Sequence, residues 1–261
     1  MTVRINWFLL CVLISMMGCG ADDVATQDEV DQSVIGFTTV ALDANKPVVR
    51  GGESVLGNLI ADSFLKHAIE KGFEVDFAMI NGGNIRFDSS VHPSGIYPIG
   101  ELTRADVNEI LPFNNTGIII QITGAELKST LERSVHELPI PAGTNGGGAF
   151  LQLSAGVQVI VDTRQQTQVI DELNNEMTIV TEGERIIQLL INGESLDLSK
   201  TYLVLLSSFA ASGGDGFIVV GNIEQTRKID LGEPLRNALE GYLIANTPVS
   251  PIIENRILID Q

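Results

Sequence analysis

Residues 75–80, Val-Asp-Phe-Ala-Met-Ile, run directly into Asn81-Gly-Gly-Asn-Ile-Arg86. A short, almost unbroken apolar run reads as a short buried strand. Glycines at the end of such a strand let the backbone turn sharply and approach a ligand closely. An arginine just past the turn offers a planar, permanently charged fork to a phosphate or carboxylate. On its own, Asn-Gly-Gly is ordinary turn chemistry.

The rest of the chain alternates between the two periodicities. Residues 34–42, 117–122, 158–162, 185–191, 202–207 and 256–259 read as strands. Residues 53–71 read as a helix, with Leu56, Leu59, Ile60, Phe64 and Leu65 on one face. Thr103-Arg-Ala-Asp106 has the form of a capping box before a short helix that ends at Pro112. Thr123-Gly-Ala-Glu126 is a second such box, opening a helix to about Leu138. Residues 233–245 read as the last helix. Asn192-Gly193 is a hairpin signal between residues 185–191 and a short segment at 194–198. Residues 139–148 read as a Pro/Gly-rich loop, and 163–183 as a polar surface excursion. No repeat or internal linker appears. The expected architecture is one mixed α/β (α+β) domain over residues 34–261.

The N-terminus reads as an export segment. A basic start at residues 1–4 precedes an apolar run, 5–17, too short to span a bilayer comfortably. Met16-Met-Gly-Cys19 is similar to the lipobox of bacterial lipoproteins. Residues 1–18 are therefore expected to be a lipoprotein signal peptide, Cys19 the lipidated residue, and 19–33 a polar, acidic, disordered tether. The expected location is the cell envelope, anchored to a membrane and facing the periplasm or exterior. The only cysteines are Cys11 and Cys19, so the expected mature domain has no internal disulfide. A net charge of −17 argues against nucleic acid as a partner.

Three further motifs carry chemistry-bearing residues: Arg50-Gly-Gly-Glu-Ser-Val-Leu-Gly-Asn58, Leu111-Pro-Phe-Asn-Asn115, and Ser208-Phe-Ala-Ala-Ser-Gly-Gly-Asp-Gly-Phe217. Phe113 and Phe209 sit on loops, where aromatic faces are free to stack on a base, although a lone phenylalanine in a loop is more often a core residue. Asp215, after two glycines, is either a turn cap or an acceptor for neighbouring hydroxyls. Arg50 and Arg86 fit either an anion or a surface ion pair, and Glu53 is a candidate structural partner for Arg50.

In this order the four motifs resemble the C-terminal, substrate-specificity domain of the 5′-nucleotidase/UDP-sugar hydrolase family, from about Val34 to Ile259. The resemblance implies that Phe113 and Phe209 clamp a base, that Asp215 holds the ribose diol, and that Arg50 and Arg86 contact the phosphate and ribose side. It places Asn81 and Asn115 near the base, and residues 150–156 along the pocket. Two departures are Asn84 and Asn114, where the family commonly has glycine; asparagine tolerates positive φ, so the backbone is expected to persist.

Hydrolysis in that family belongs to a separate N-terminal domain with two metal ions, held by motifs such as Asp-x-His, Gly-Asn-His-Glu and Gly-His-x-His. His67, His92 and His136 are the only histidines, and none has such a context. They are expected to be structural or solvated, with no cofactor in this chain and divalent metals only in a catalytic partner. The expected function is nucleotide or nucleoside recognition for a separate metallophosphoesterase chain. The alternative is an exported, non-catalytic nucleotide-binding lipoprotein.

Overall fold

The structure is a computed structural model that describes residues 31–173 and 176–260. The expected signal segment, Cys19 and most of the expected tether lie outside the described residues. Residues 31–33 are exposed coil. They hold the start of a helix: Ser33 and Asp31 carbonyls accept from Arg104 and Ala105 N–H, each at 3.0 Å. No helix among the described residues is long and apolar enough to cross a membrane.

The centre is a five-stranded mixed sheet in the order Lys228–Pro234, Thr116–Thr123, Thr201–Ser207, Phe77–Asn81, Leu151–Leu153. Both of its faces are covered. Phe77 and Met79 point into one core and Ala78 and Ile80 into the other, because successive strand side chains alternate faces. The helices Val55–Glu70 and Arg236–Asn246 cover one face. On the other lie the helix Gly124–Ser134 and a four-stranded sheet ordered Glu194–Ser195, Ile186–Ile191, Val157–Asp162, Ile257–Asp260. The fold is the expected mixed α/β arrangement.

Both expected capping boxes form. Thr103 and Thr123 each accept a bond from the N3 backbone, and the Asp106 and Glu126 carboxylates each accept one from the cap N–H. The Asn192-Gly193 turn also forms, with φ of 53° and 82°, and pairs Ile191 with Glu194. Other boundaries differ from the expected ones. The first expected strand is two, Val34–Thr38 and Leu42–Asp43, separated by a bend. The helix after Thr123 ends at Ser134 rather than near Leu138. Residues 163–183 are not irregular throughout: Val169–Leu173 and Glu176–Thr181 form an antiparallel hairpin. A short helix, Lys46–Gly51, and the strands Leu151–Leu153 and Lys228–Pro234 were not expected.

The sheet directions gather the motifs. Thr201–Ser207 runs parallel to Phe77–Asn81, so both strands end at one edge. Thr116–Thr123 runs antiparallel to Thr201–Ser207, with Gly117 opposite Ser207, so its beginning lies at that edge too. Leu151 pairs with Asn81 and brings the preceding glycine loop there. Four segments distant in sequence thus emerge side by side.

Candidate ligand-binding site

At that edge lies a cavity of about 410 Å³, lined by Arg50, Gly83, Asn84, Arg86, Phe113, Asn115, Phe209, Asp215 and Gly148. Six of the seven expected site residues line it; the seventh, Asn81, is 1% exposed and stands behind the wall. A second cavity of about 390 Å³, between Val55–Glu70 and residues 248–256, is lined by none of the seven.

Asp215 is placed by an unusual local conformation. It follows Gly213, whose φ is +94°, and itself sits in the left-handed region at φ 56°, ψ 18°. Aspartate is among the few residues that visit this region readily. Its carbonyl accepts from Arg133 Nε at 2.9 Å, and Gly216 leaves room for that guanidinium. Its carboxylate lies against two glycines. A Cβ at Gly148 would fall 2.7 Å from Oδ2, and one at Gly83 2.8 Å from the same oxygen.

The amides form a relay along the wall. Asn115 Nδ2 donates to Asn84 Oδ1 at 3.0 Å, Asn84 Nδ2 to Asn81 Oδ1 at 2.7 Å, and Asn81 Nδ2 to Asp215 Oδ2 at 2.8 Å. Asn84 therefore does more than replace a glycine. Neither it nor Asn114 has positive φ; Asn84 bridges two neighbours, and Asn114 Oδ1 accepts from Arg236 at 2.6 Å. Phe209 is not on a loop but in the first turn of a short helix, Ser208–Ala211, capped by Ser207 Oγ. Its ring lies over Gly214, where an added Cβ would sit 2.5 Å from Cζ. Phe113 is 44% exposed and Phe209 40%, so both keep open faces.

The two arginines converge. Arg50 reaches in from the short helix Lys46–Gly51 and donates to the Gly146 carbonyl at 3.0 Å. Its Nε is buried without a hydrogen-bond partner among the described residues. Burial holds the Arg50 guanidinium below its ordinary pKa, with Asp215 and then Glu137 opposing. Burial also lowers Arg86, next the positive charge of Arg50 lowers it further, and Asp215 opposes. Arg86 lies 5.3 Å from the centre of the Phe113 ring, within cation–π range. Arg133 is likewise lowered by burial. Two half-buried cations that repel one another beside one carboxylate leave positive charge available to an anion, despite the acidic chain.

Glu53 is not the partner of Arg50. It accepts from Asn58 Nδ2 at 2.6 Å and from Glu254 and Arg256 N–H at 2.7 Å each, tying the C-terminal segment to the helix start. The Arg50 segment is instead held by Gln152, which is fully buried. It accepts from Ser54 N–H at 3.0 Å and donates to the Val49 and Gly52 carbonyls at 3.0 and 2.7 Å. Residues 150–156 thus brace the site from behind rather than line it. Gly57 packs on Gln152 so closely that a Cβ would fall 2.3 Å from its side-chain oxygen. Arg133 and Gly148 had no signal in the sequence beyond ordinary helix and loop chemistry, and Gln152 was flagged only as part of the stretch 150–156, not as a brace.

The sequence profile described as "5′-nucleotidase, C-terminal domain" matches residues 34–222. The trifunctional nucleotide phosphoesterase protein YfkN of Bacillus subtilis is 32% identical over 236 residues, covering 88% of this chain and 14% of that protein. The 5′-nucleotidase of Bos taurus is 29% identical over 249 residues, covering 90% of this chain and 38% of its own length. In structure, the chain is similar to a 5′-nucleotidase precursor from Thermus thermophilus. The TM-score is 0.71 at 31% identity, over 87% of this chain and 39% of that one. The chain therefore spans well under half the length of these relatives.

Proposed function

We propose a function from one premise: the chain belongs to the 5′-nucleotidase C-terminal domain family. The cavity binds a nucleotide or nucleoside, with the base between Phe113 and Phe209 and the ribose diol on Asp215. The phosphate side faces Arg50 and Arg86. The observation that carries this reading is that two half-open aromatic rings, two guanidinium groups and one carboxylate line a single cavity. Each group matches a different part of a nucleotide. Aromatic faces hold a base by stacking. A carboxylate accepts from two adjacent hydroxyls, and arginine forks suit phosphate oxygens. Asn81 holds Asp215 in place and does not reach the ligand itself.

These lining residues recognise and orient. None of them is a histidine or cysteine, and they supply one carboxylate between them, so they do not form the multi-ligand cluster that activates water. The hydrolytic step is assigned to a metallophosphoesterase that this domain serves, on a separate chain, with its own divalent metal ions. The site is placed outside the cytoplasm, through a lipid on Cys19 in the lipobox-like Met16-Met-Gly-Cys19.

Calorimetric titration of the full chain with AMP, UMP, a UDP-sugar and the free nucleosides tests the reading. Saturable binding of at least one, weakened by Phe209→Ala by about 1–3 kcal/mol, is expected. Absence of binding to all of them, or binding indifferent to Phe113 and Phe209, overturns it.

A further inference from the structure

His92, Asp106 and Glu109 bring one ligand atom each to within 4.8 Å of one another, and none of the three lines the proposed nucleotide cavity. We propose that these three side chains form a binding site for a divalent transition-metal ion of the zinc type, which locks the segment carrying His92 to the helix that leads to Phe113.

The spacing suits such an ion. Zinc takes imidazole nitrogen at about 2.0–2.1 Å and carboxylate oxygen at about 2.0–2.2 Å, so two ligands at a tetrahedral angle lie about 3.3 Å apart. His92 Nε2 is 3.1 Å from Asp106 Oδ1 and 3.7 Å from Glu109 Oε2. Small movements of half-buried side chains would bring both to the ideal value. Three protein ligands leave the remaining position to water. One imidazole among the donors favours zinc-like ions over magnesium or calcium, which prefer oxygen alone.

The surroundings orient the donors independently. Asp106 and Glu109 lie three apart on the helix Arg104–Ile110 and so share a face. The other Asp106 oxygen, Oδ2, is pinned by the capping box, accepting from Thr103 N–H and Oγ1–H at 2.7 Å each. That fixes Oδ1 towards His92. His92 is itself fixed: its N–H donates to the Asp88 carbonyl at 2.7 Å, and its ring lies 4.2 Å from that of Tyr97. Tyr97 Oη donates to Glu109 Oε2 at 3.4 Å, completing an outer layer of support.

The charge balance points the same way. Among the described residues, neither Asp106 nor Glu109 forms an ion pair with lysine or arginine; His92 is their shared partner. A bound dication would offset the two carboxylates that share this one imidazole. The role is structural. Helix Arg104–Ile110 runs into Leu111 and on to Phe113, and the Ile110 carbonyl accepts from Arg86 N–H at 3.0 Å. A cation here would stiffen the platform under one side of the cavity.

The test is titration of the purified full chain with Zn²⁺ alone, followed by calorimetry and thermal melting, with X-ray absorption on the zinc-loaded protein. One equivalent should bind and raise Tm. Affinity should fall at least about tenfold in both His92→Ala and Glu109→Gln and stay unchanged in His67→Ala. The absorption spectrum should show one imidazole with oxygen ligands, a readout that needs no variant. No zinc binding, binding unmoved by both substitutions in folded protein, or a coordination shell with sulfur or several imidazoles would each overturn the site.

Discussion

Asn81 Nδ2 donates to Asp215 Oδ2 at 2.8 Å, joining the end of one central strand to the tip of a glycine turn. This contact sets the direction of the carboxylate that the proposed ribose site depends on. Asn81 in turn is held by Asn84, and Asn84 by Asn115. Removing a buried donor to a charged acceptor costs about 1–3 kcal/mol. Asn81→Leu should therefore destabilise the fold by about that amount and weaken nucleoside binding several-fold. Asn81→Asp should do worse at neutral pH, because it sets a second carboxylate against Asp215. Urea melts and calorimetry on both variants check this; a nucleoside affinity unchanged in both would show that Asp215 is oriented without Asn81.

Gly214 gives a more selective probe. An added Cβ would sit 2.5 Å from Phe209 Cζ, and the residue has no positive φ that would strain a larger one. The Phe209 ring is half open and free to move aside. Gly214→Ala should thus leave Tm nearly unchanged while displacing the ring and lowering base affinity by about 1–2 kcal/mol. Loss of stability with binding intact would place the ring's importance in packing instead.

How much of this was legible beforehand follows from what each signal depends on. The two capping boxes, the Asn192-Gly193 turn and the strand before Asn81 are local: residue type and spacing fix them, and they formed as read. The short helix Lys46–Gly51 was missed because a proline at its start and two glycines at its end look like a loop. The edge strand Lys228–Pro234 was missed because it carries Gly232 and Pro234, both of which count against strand. In the site, the lining residues other than Gly148 lie in the four motifs. The bracing contacts were not legible: Arg133 had no motif, and the roles of Gln152 and of the amide relay depend on contacts between segments far apart in sequence, which nothing in a side chain's type announces.

Acid sensitivity should have an identifiable component at Glu126. Hydrogen bonds from Arg227 chiefly, aided by Thr123, hold its carboxyl down from 4.5 to about 2. Because the folded-state value is depressed, the stabilisation is complete above about pH 5 and is lost as pH falls towards 2. Glu126→Gln should cost about 1 kcal/mol near neutrality, and this difference from the parent should vanish by about pH 2. Chemical denaturation at several pH values decides it; a difference independent of pH would show that capping geometry rather than charge is what Glu126 contributes.

The last prediction separates the two arginines from the rest of the cavity. Burial, and next the positive charge of Arg50, lowers Arg86, and both guanidinium groups line the one cavity. An incoming phosphate would relieve that repulsion, whereas a nucleoside without phosphate would not. Arg86→Ala should therefore weaken a nucleoside monophosphate by at least about tenfold, the scale of a charge-assisted bidentate contact. It should also weaken the free nucleoside, but less, because Arg86 rests 5.3 Å from the Phe113 ring and helps to place it. Arg50→Ala should spare Phe113 and so penalise the monophosphate almost alone. Added salt should weaken the monophosphate in the parent protein and have little effect in an Arg50/Arg86 double variant, since the screened charges are then gone. Calorimetry with both ligands at two salt concentrations reads all four outcomes. Equal losses for nucleoside and monophosphate in both single variants would mean that neither guanidinium meets the phosphate and that the orientation of the ligand in the cavity is reversed.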